Sequence, residues 1–376
     1  MTTKALTTAR AAADGYTIRW YEPGDREGFM ALHDRIWPGF PDDWFDWKFA
    51  DNPYLDEAPV VVAEYDGEIV GARPNLAFQM RAGDTHHVAL QSGDTMVDAD
   101  HRRKGLFSRM SQHLFEGYAD GPPKFTFNVP NMKTTGGMVK QGFEIAGEHT
   151  TYHRVQDPAT YAGRDNRLAR TLGKAAATGY LGTRRRGLDV PSEVTVTRHA
   201  DIPSRRLADL YRRRPPNEIH AFRDEQFFEY RFSNPRWEYT AYTARLGGRP
   251  VAGVVTATQE TNSWDSAYSY TVTKVADVVP LVGDDERDRA LPALLERVLA
   301  DNADSAVVSV RGESIPQSTL AKFGFHSDQR LPLRPLATPT RMVVSPIPLD
   351  DDWRVAGRDI RDLSNWRPTF VEHNTT

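Results

Sequence analysis

A two-domain α+β architecture built on mixed α/β sheets is what this sequence of 376 residues predicts. Three observations carry the prediction. The length exceeds what one hydrophobic core usually serves. Segments of period-two alternation interleave with segments of helical spacing over residues 1–155. A similar succession of motifs then returns beyond residue 190.

The first half is justified element by element. "YTIRWYE" (16–22) alternates as a strand does, and the segment after it places Phe29, Leu32, His33 and Ile36 at helical spacing. "DDWFDWKFADNPY" (42–54) sets Trp44, Trp47 and Lys48 on one side of a short helix that Asn52-Pro53 stops. In "APVVVAEYDGEIVGARPNLAFQM" (58–80) two strands meet at Asp66-Gly67, a dipeptide suited to a type I′ hairpin. "HHVALQSGDTMV" (86–97) is a further strand and runs straight into "VDADHRRKGLFSRM" (97–110). From Leu106 the apolar residues Leu106, Met110, Leu114 and Tyr118 recur every four positions, which predicts one amphipathic helix ended by "DGPP" (120–123). "KFTFNV" (124–129) is a strand, "PNMKTTGGMVKQG" a helix weakened by Gly136 and Gly137, and "FEIAGEHTTYHRV" a closing strand pair. The expected order is β α α β β β α β α β.

Beyond this the chain repeats itself. "WFDWKFADNP" (44–53) has a partner in "FFEYRFSNP" (227–235), "AEYDGEIVGA" (63–72) in "ARLGGRPVAGV" (244–254), and "MVKQGF" (138–143) in "TLAKFGF" (319–325). Three matches in one order argue for duplication. The expected division is a first domain over 1–155, a basic helical linker over 156–190, a second domain over 191–345 and a tail over 346–376. The linker's Arg184, Arg185 and Arg186 could touch nucleic acid, but a solvated face is the commoner explanation for such a run.

Composition limits what the chain does. Its apolar content of 39% suits ordinary globular cores, and no run approaches the roughly 18 apolar residues of a membrane span. Its start lacks the apolar block of a secretory signal, so a cytoplasmic location is expected. With no cysteine, disulfides, thiolate metal sites and a thiol nucleophile are excluded. A net charge of -4 gives no footprint of a nucleic-acid surface.

The corner at 97–110 concentrates the chemistry. A helix N-terminus exposes unpaired N–H groups and the positive end of a dipole. Glycine there lets a ligand approach the backbone, and flanking arginines add charge-assisted bonds, so strand, R-x-x-G, helix can cradle a diphosphate. Taken alone the tetrapeptide is more often a solvated basic turn. In the second half the corresponding region carries Asp284, Asp285 and Glu286 in place of Arg102, Arg103 and Lys104, a reversal that repels phosphate.

In context, the run Arg102-Arg103-Lys104-Gly105-Leu106-Phe107, Asn131 after the next strand, and Lys140-Gln141-Gly142-Phe143 closing the following helix resemble the GNAT superfamily of acyl-CoA-dependent N-acyltransferases. The likeness covers roughly residues 16–155 and, through the repeat, extends weakly to about 345. It implies two GNAT-like domains in tandem, the second degenerate and serving as scaffold. It also implies acetyl-CoA (acyl-CoA) as co-substrate and a primary amine of a small molecule or peptide as acceptor, with no metal. By the same resemblance, two parallel strands part after Met96-Val97 so that their main chain pairs with pantetheine. The amides of Arg103, Lys104, Gly105, Leu106, Phe107 and Ser108 hold the diphosphate beside Arg102, and Asn131 meets the pantetheine arm. Phe107 departs from the small residue usual at its position. A second departure bears on catalysis: many members place a tyrosine where this chain has Met138, and a thioether donates no proton. The thiolate, with a pKa near 8.5, then leaves unassisted or with help from another group.

For the base that removes the amine's proton, Asp94 on the strand into the corner and Glu64 on the hairpin strand are the candidates, each of them also readable as an ordinary strand carboxylate. Trp37, Trp44, Phe45, Trp47 and Tyr54, among Asp42, Asp43, Asp46 and Asp51, suit either a cationic acceptor cleft or simple packing. His86 and His87, adjacent on a strand, point to opposite faces and make no metal site, and His101 reads as a solvated loop residue. The "EHNTT" ending reads as a loose end, although in a tandem relative, the enhanced-intracellular-survival acetyltransferases, a chain terminus supplies the catalytic carboxylate. Two rival readings stand beside the transferase: a non-catalytic acyl-CoA-binding module, favoured by Met138, and an aminoacyl-tRNA-dependent tandem transferase, favoured by the arginine-rich linker.

Overall fold

The computed structural model describes residues 10–11, 14–161, 175, 177, 179–180, 182, 191–262, 269–349 and 352–373. In chain order the first half gives β1 (Tyr16–Trp20), α1 (Arg26–Ile36), a π-helical turn (Asp46–Ala50), β2 (Val60–Tyr65), β3 (Glu68–Ala82), β4 (Thr85–Ser92), β5 (Met96–Val97), α2 (Leu106–Gly117), β6 (Phe125–Asn128), α3 (Met132–Val139), β7 (Glu144–His149) and β8 (Thr151–Val155). The second half gives β9 (Val194–His199), α4 (Ser204–Arg213), α5 (Glu225–Arg231), β10 (Glu238–Leu246), β11 (Arg249–Asn262), β12 (Ser269–Val279), α6 (Asp285–Asp301), β13 (Val307–Arg311), α7 (Gln317–Lys322), β14 (His326–Ser327) and β15 (Thr340–Pro346).

The chain divides into two units, neither of them contiguous. One comprises Met1–Gly147, Ser233–Arg236 and Arg341–Asn365; the other comprises Glu148–Phe232, Trp237–Thr340 and Trp366–Thr376. This differs from the division expected at 155, 190 and 345. β8, expected to close the first domain, is a strand of the second unit's sheet, and β15 belongs to the first unit's sheet. The physical reason is edge pairing: β6 and β13 each need a neighbour on their second edge, and the strand that supplies it comes from the other half of the chain. The tail is likewise shared out, with Trp353 in the first unit beneath the Arg361 guanidinium (5.1 Å) and Trp366 buried in the second. Of the expected linker, Arg184, Arg185 and Arg186 lie outside the described residues.

In the first unit the strands run β1-β2-β3-β4-β6-β15-β7, with Arg10–Ala11 outside β1 and β5 also on β3. β15 and β7 are neighbours, β4 and β6 pair in parallel, and the other pairs of known register, β1–β2, β2–β3, β3–β4 and β6–β15, are antiparallel. The second unit runs β9-β10-β11-β12-β13-β8-β14, again with one parallel pair, β12 with β13, in the same place. Element order agrees as well apart from β5, and it follows the order the sequence predicts except that the strand expected over 86–97 is broken into β4 and β5 and the short helix expected over 42–54 is the π-helical turn. At the β2–β3 hairpin both Asp66 and Gly67 take positive φ (52° and 80°), as a type I′ turn requires.

α2 packs as its four-residue spacing predicts. Leu106, Met110, Leu114 and Tyr118 are all buried in one cluster with Tyr16, Trp20, Val70, Phe143 and Val343, each contributing about 1.5–3 kcal/mol of burial. Its last turn lies so close to the sheet that a Cβ on Gly117 would stand 2.4 Å from the Trp20 ring. The second unit's core joins Leu291, Leu294 and Val298 of α6 and Leu320 of α7 to Val254, Val308 and Val310 of the sheet.

Candidate functional site

The site begins where β4 and β6 diverge. They pair only at Ala89 with Phe125 and Leu90 with Thr126. Beyond that, Phe127 and Asn128 pair with Val344 and Val343 of β15, while Gln91 and Ser92 pair with Leu76 and Asn75 of β3. The fork therefore opens earlier than expected, before Met96-Val97 rather than after it. Residues 93–95 bulge out, and Met96 and Val97 return to β3 opposite Ala72 and Gly71.

From Val97 the chain turns the corner. Asp98 caps a 3-10 turn (Ala99–His101) by accepting from the Asp100 amide (3.1 Å) and pairs with Arg35 (3.1 Å). Arg102 donates Nε to the Val97 carbonyl (3.2 Å), which folds the corner back on its own strand. Arg103 and Gly105 both take left-handed φ, 62° and 71°. Gly105 is the N-cap of α2, makes no side-chain cap, and no acidic residue follows in the first turn. The first helical bond is Arg109 N–H to the Gly105 carbonyl, so the amides of Leu106, Phe107 and Ser108 lie within the turn that has no intrahelical acceptor. Around them Arg102, Arg103 and Lys104 are exposed. The arrangement is an uncapped, positively charged helix start beside an open fork, suited to an anion.

Neighbouring groups hold the corner in place. Gln141 at the end of α3 donates to Ser108 Oγ (3.3 Å) and accepts from Ser111 Oγ (3.1 Å). His101 is anchored rather than solvated, its Nδ1 2.9 Å from the Tyr16 hydroxyl and its ring packed on Tyr16 and Tyr65. Asn131 is the N-cap of α3 and accepts from the Thr134 amide (3.0 Å).

Asp94 and Glu64 both stand in ion pairs. Asp94, in the bulge with φ 52°, accepts from Lys48 Nζ at 2.5 Å; Lys48 is 2% exposed and Asp94 19%. The ammonium also sits 5.0 Å from the Trp44 ring. Glu64 accepts from Arg19 Nε and Nη2 (3.0 and 2.8 Å), and Arg19 binds Asp25 as well. The Asp25 bond raises the Arg19 guanidinium above its ordinary value. Glu64 is thus part of a clamp fastening β1 to β2.

Met138 is 1% exposed and lies in the core cluster, with Asn128 Nδ2 3.8 Å from its sulfur. Of the aromatic group, Trp44, Phe45 and Trp47 are buried and pack, while Trp37 is exposed. His86 and His87 lie side by side on β4 opposite Arg81 and Met80, and among the described residues no group of His, Asp and Glu could hold a metal ion.

Sequence reading missed the polar floor of the fork. Arg73 is buried without an ion pair, donates to Ser92 Oγ (3.3 Å), and rests 5.1 Å from the Phe107 ring; Ser92 in turn donates to Asn75 (2.8 Å). Burial pushes the Arg73 guanidinium down to about 10. The available signal was the placing of Arg73, Asn75, Gln91 and Ser92 within otherwise apolar strands.

A mixed sheet with one forked parallel pair, and a glycine-led basic corner opening the helix beside it, defines a GNAT-type acyltransferase fold. Residues 17–146 match the family described as "Acetyltransferase (GNAT) domain". The chain is similar in structure to a GCN5-related N-acetyltransferase from Anabaena variabilis ATCC 29413 (TM-score 0.58, 10% identity, 88% of this chain and 73% of that one). It is also similar to one from Kribbella flavida (TM-score 0.54, 13% identity, 88% and 70%). At such identities the likeness establishes the fold. No curated protein has a significant sequence match. Residues 17–146 of the chain therefore form an acetyltransferase (GNAT) domain. No helix among the described residues is long and apolar enough to cross a membrane.

Proposed function

We propose that the first unit binds acetyl-CoA at the 97–108 corner and transfers the acetyl group to a primary amine of a small molecule or peptide. The observation carrying this reading is the uncapped start of α2, led by left-handed Arg103 and Gly105 beside the fork. The amides of Arg103, Lys104, Gly105, Leu106, Phe107 and Ser108 bind the diphosphate, with Arg102 supporting the loop through Val97. The main chain of Met96 and Val97 pairs with pantetheine, and Asn131 meets its far side. The thioester carbonyl then lies in the fork, where the amine nitrogen attacks it, the C–S bond breaks, and CoA leaves as thiolate.

Asp94 accepts the amine's proton through a water, held in position by Lys48. With Met138 in the core, the thiolate takes its proton from solvent. The second unit is read as a degenerate copy, because Asp284 caps its helix by accepting from the Arg287 amide (2.8 Å), placing a carboxylate where the first unit leaves room for phosphate.

Thiol release tests this cleanly, since a chain without cysteine contributes no thiol of its own. Acetyl-CoA with a panel of primary amines should yield amine-dependent thiol, and the exposed pair change Arg103→Glu with Lys104→Glu should sharply lower it at sub-saturating acetyl-CoA without unfolding the protein. Acetyl-CoA binding without release for any amine would favour the non-catalytic reading, which the buried Met138 and the two paired carboxylates support.

A further inference from the structure

A cavity of about 350 Å³ lies wholly within the second unit. Strand register explains its lining. Lys274 stands opposite Ser309, Ser309 opposite His153, and Arg311 opposite Thr151, so all five project from one face of the sheet. The alternate residues Val308 and Val310 project from the other face, into the core with α6 and α7. Phe370 and Asp328 complete the wall.

Arg311 is the anomaly. It is 7% exposed, yet its Nε has no hydrogen-bond partner, and the guanidinium rests 4.4 Å from the Phe370 ring with no carboxylate of the described residues at ion-pair distance. Thr151 Oγ1 is buried and equally without a partner. A buried guanidinium left so is costly unless something accepts from it. The contrast with Arg223, 0% exposed in the same unit, is direct: that side chain binds Asp277 at 2.8 Å and Glu372 at 2.9 Å. Arg311's charge is felt by its neighbours, since burial and then Arg311 push His153 down to about 4. His153 is therefore neutral, its Nδ1 2.8 Å from Ser309 Oγ. The charges of Asp328 and Glu372 reach Arg311, but neither carboxylate is within ion-pair distance of it.

We propose that this cavity binds a small monocarboxylate, its oxygens accepting from the Arg311 guanidinium and the Thr151 hydroxyl and its apolar body lying on Phe370. A planar carboxylate matches the guanidinium fork, and the volume falls at the small end of ligand pockets. The inference is independent of the acetyl-CoA reading.

The test is calorimetric titration and thermal melting of the full chain with sodium benzoate, sodium acetate, inorganic phosphate and sodium chloride at matched ionic strength. Benzoate should bind and raise the melting temperature, acetate should bind more weakly, and phosphate and chloride should do neither. Arg311→Met should weaken benzoate at least about tenfold while melting, unliganded, no lower than the unaltered protein. If Arg311→Met does not fold, Thr151→Val serves, with an expected loss of about threefold. Benzoate binding no better than chloride, phosphate binding tighter than benzoate, or full benzoate affinity in whichever variant folds would each overturn the assignment.

Discussion

The two strand-to-helix corners of this chain end in opposite electrostatic states. In the first unit α2 starts at an uncapped glycine preceded by three exposed cations. In the second, α6 starts at Asp284, which caps its own helix, with Asp285, Glu286 and Asp288 in the first turn. Local arginines absorb those charges: Arg249 pairs with Glu286 (2.5 Å), and buried Arg287 pairs with Asp288 (2.7 Å). The sheets behind the corners share strand order and the position of their one parallel pair. One architecture therefore presents either an open, positively charged helix start or a closed, self-satisfied turn, and the difference lies in a few side chains at the helix start.

The carboxylates beside the corners extend the comparison. Asp94 is 19% exposed and bound to buried Lys48, whereas Asp277 is 1% exposed and bound to Arg223 within a network that includes Thr369 and Glu372. Burial pushes the Asp277 carboxyl up, and Arg223 draws it back only in part. The first is partly open to solvent and the second is not.

The largest effect should come from Asp277→Ala, which leaves Arg223 with one partner fewer in the interior and costs about 3–5 kcal/mol in denaturant unfolding. Asp94→Ala, at a carboxylate 19% exposed, should cost less, about 2 kcal/mol, and lower turnover with little change in acetyl-CoA affinity. Lys48→Met in the same protein should restore stability but not turnover. Equal turnover in Asp94→Ala would remove Asp94 from the chemistry and make the two carboxylates equivalent.

Acid should distinguish the units next. Burial, with Arg311 second, pushes His149 down to about 3, and it likewise pushes His153 down to about 4. Both histidines are neutral when folded and gain protons on unfolding, so their contribution is complete above about pH 6.5 and is lost as pH falls towards 4. His149→Leu should reduce the slope of stability against pH by up to about one proton in that window, measured by unfolding at a series of pH values. An unchanged slope would show that His149 titrates alike in both states.

Giving the first corner the charges of the second, by Arg103→Glu with Lys104→Glu, should weaken acetyl-CoA by about thirtyfold, roughly 2 kcal/mol, in calorimetric titration. The smallest effect is expected from Gly105→Ala. A Cβ there meets nothing, but φ of 71° is strained for alanine, so stability should fall by about 1 kcal/mol.

What could be read in the sequence was local. The Asp66-Gly67 hairpin, the stripe of α2 and the glycine-led corner each depend on residues a few positions apart, and each is present. The repeat was also legible, down to the asparagines of the two Asn-Pro pairs: Asn52 accepts from the Tyr54 amide and Asn234 from the Arg236 amide, both at 3.1 Å. What escaped was non-local. Nothing near Lys48 in the chain announces Asp94 as its partner, and nothing near β6 announces β15. Contiguous domains were the natural expectation because strand exchange leaves no mark on hydrophobic periodicity, which records that a strand is buried and not which strand lies beside it.

Amide hydrogen exchange with and without coenzyme A tests the central claim most directly, because it reads both corners in one protein. The expected result is slowed exchange at residues 103–108 on adding coenzyme A, with no change at residues 284–288. Exchange at 103–108 that coenzyme A leaves untouched, or equal protection at the two corners, would contradict it.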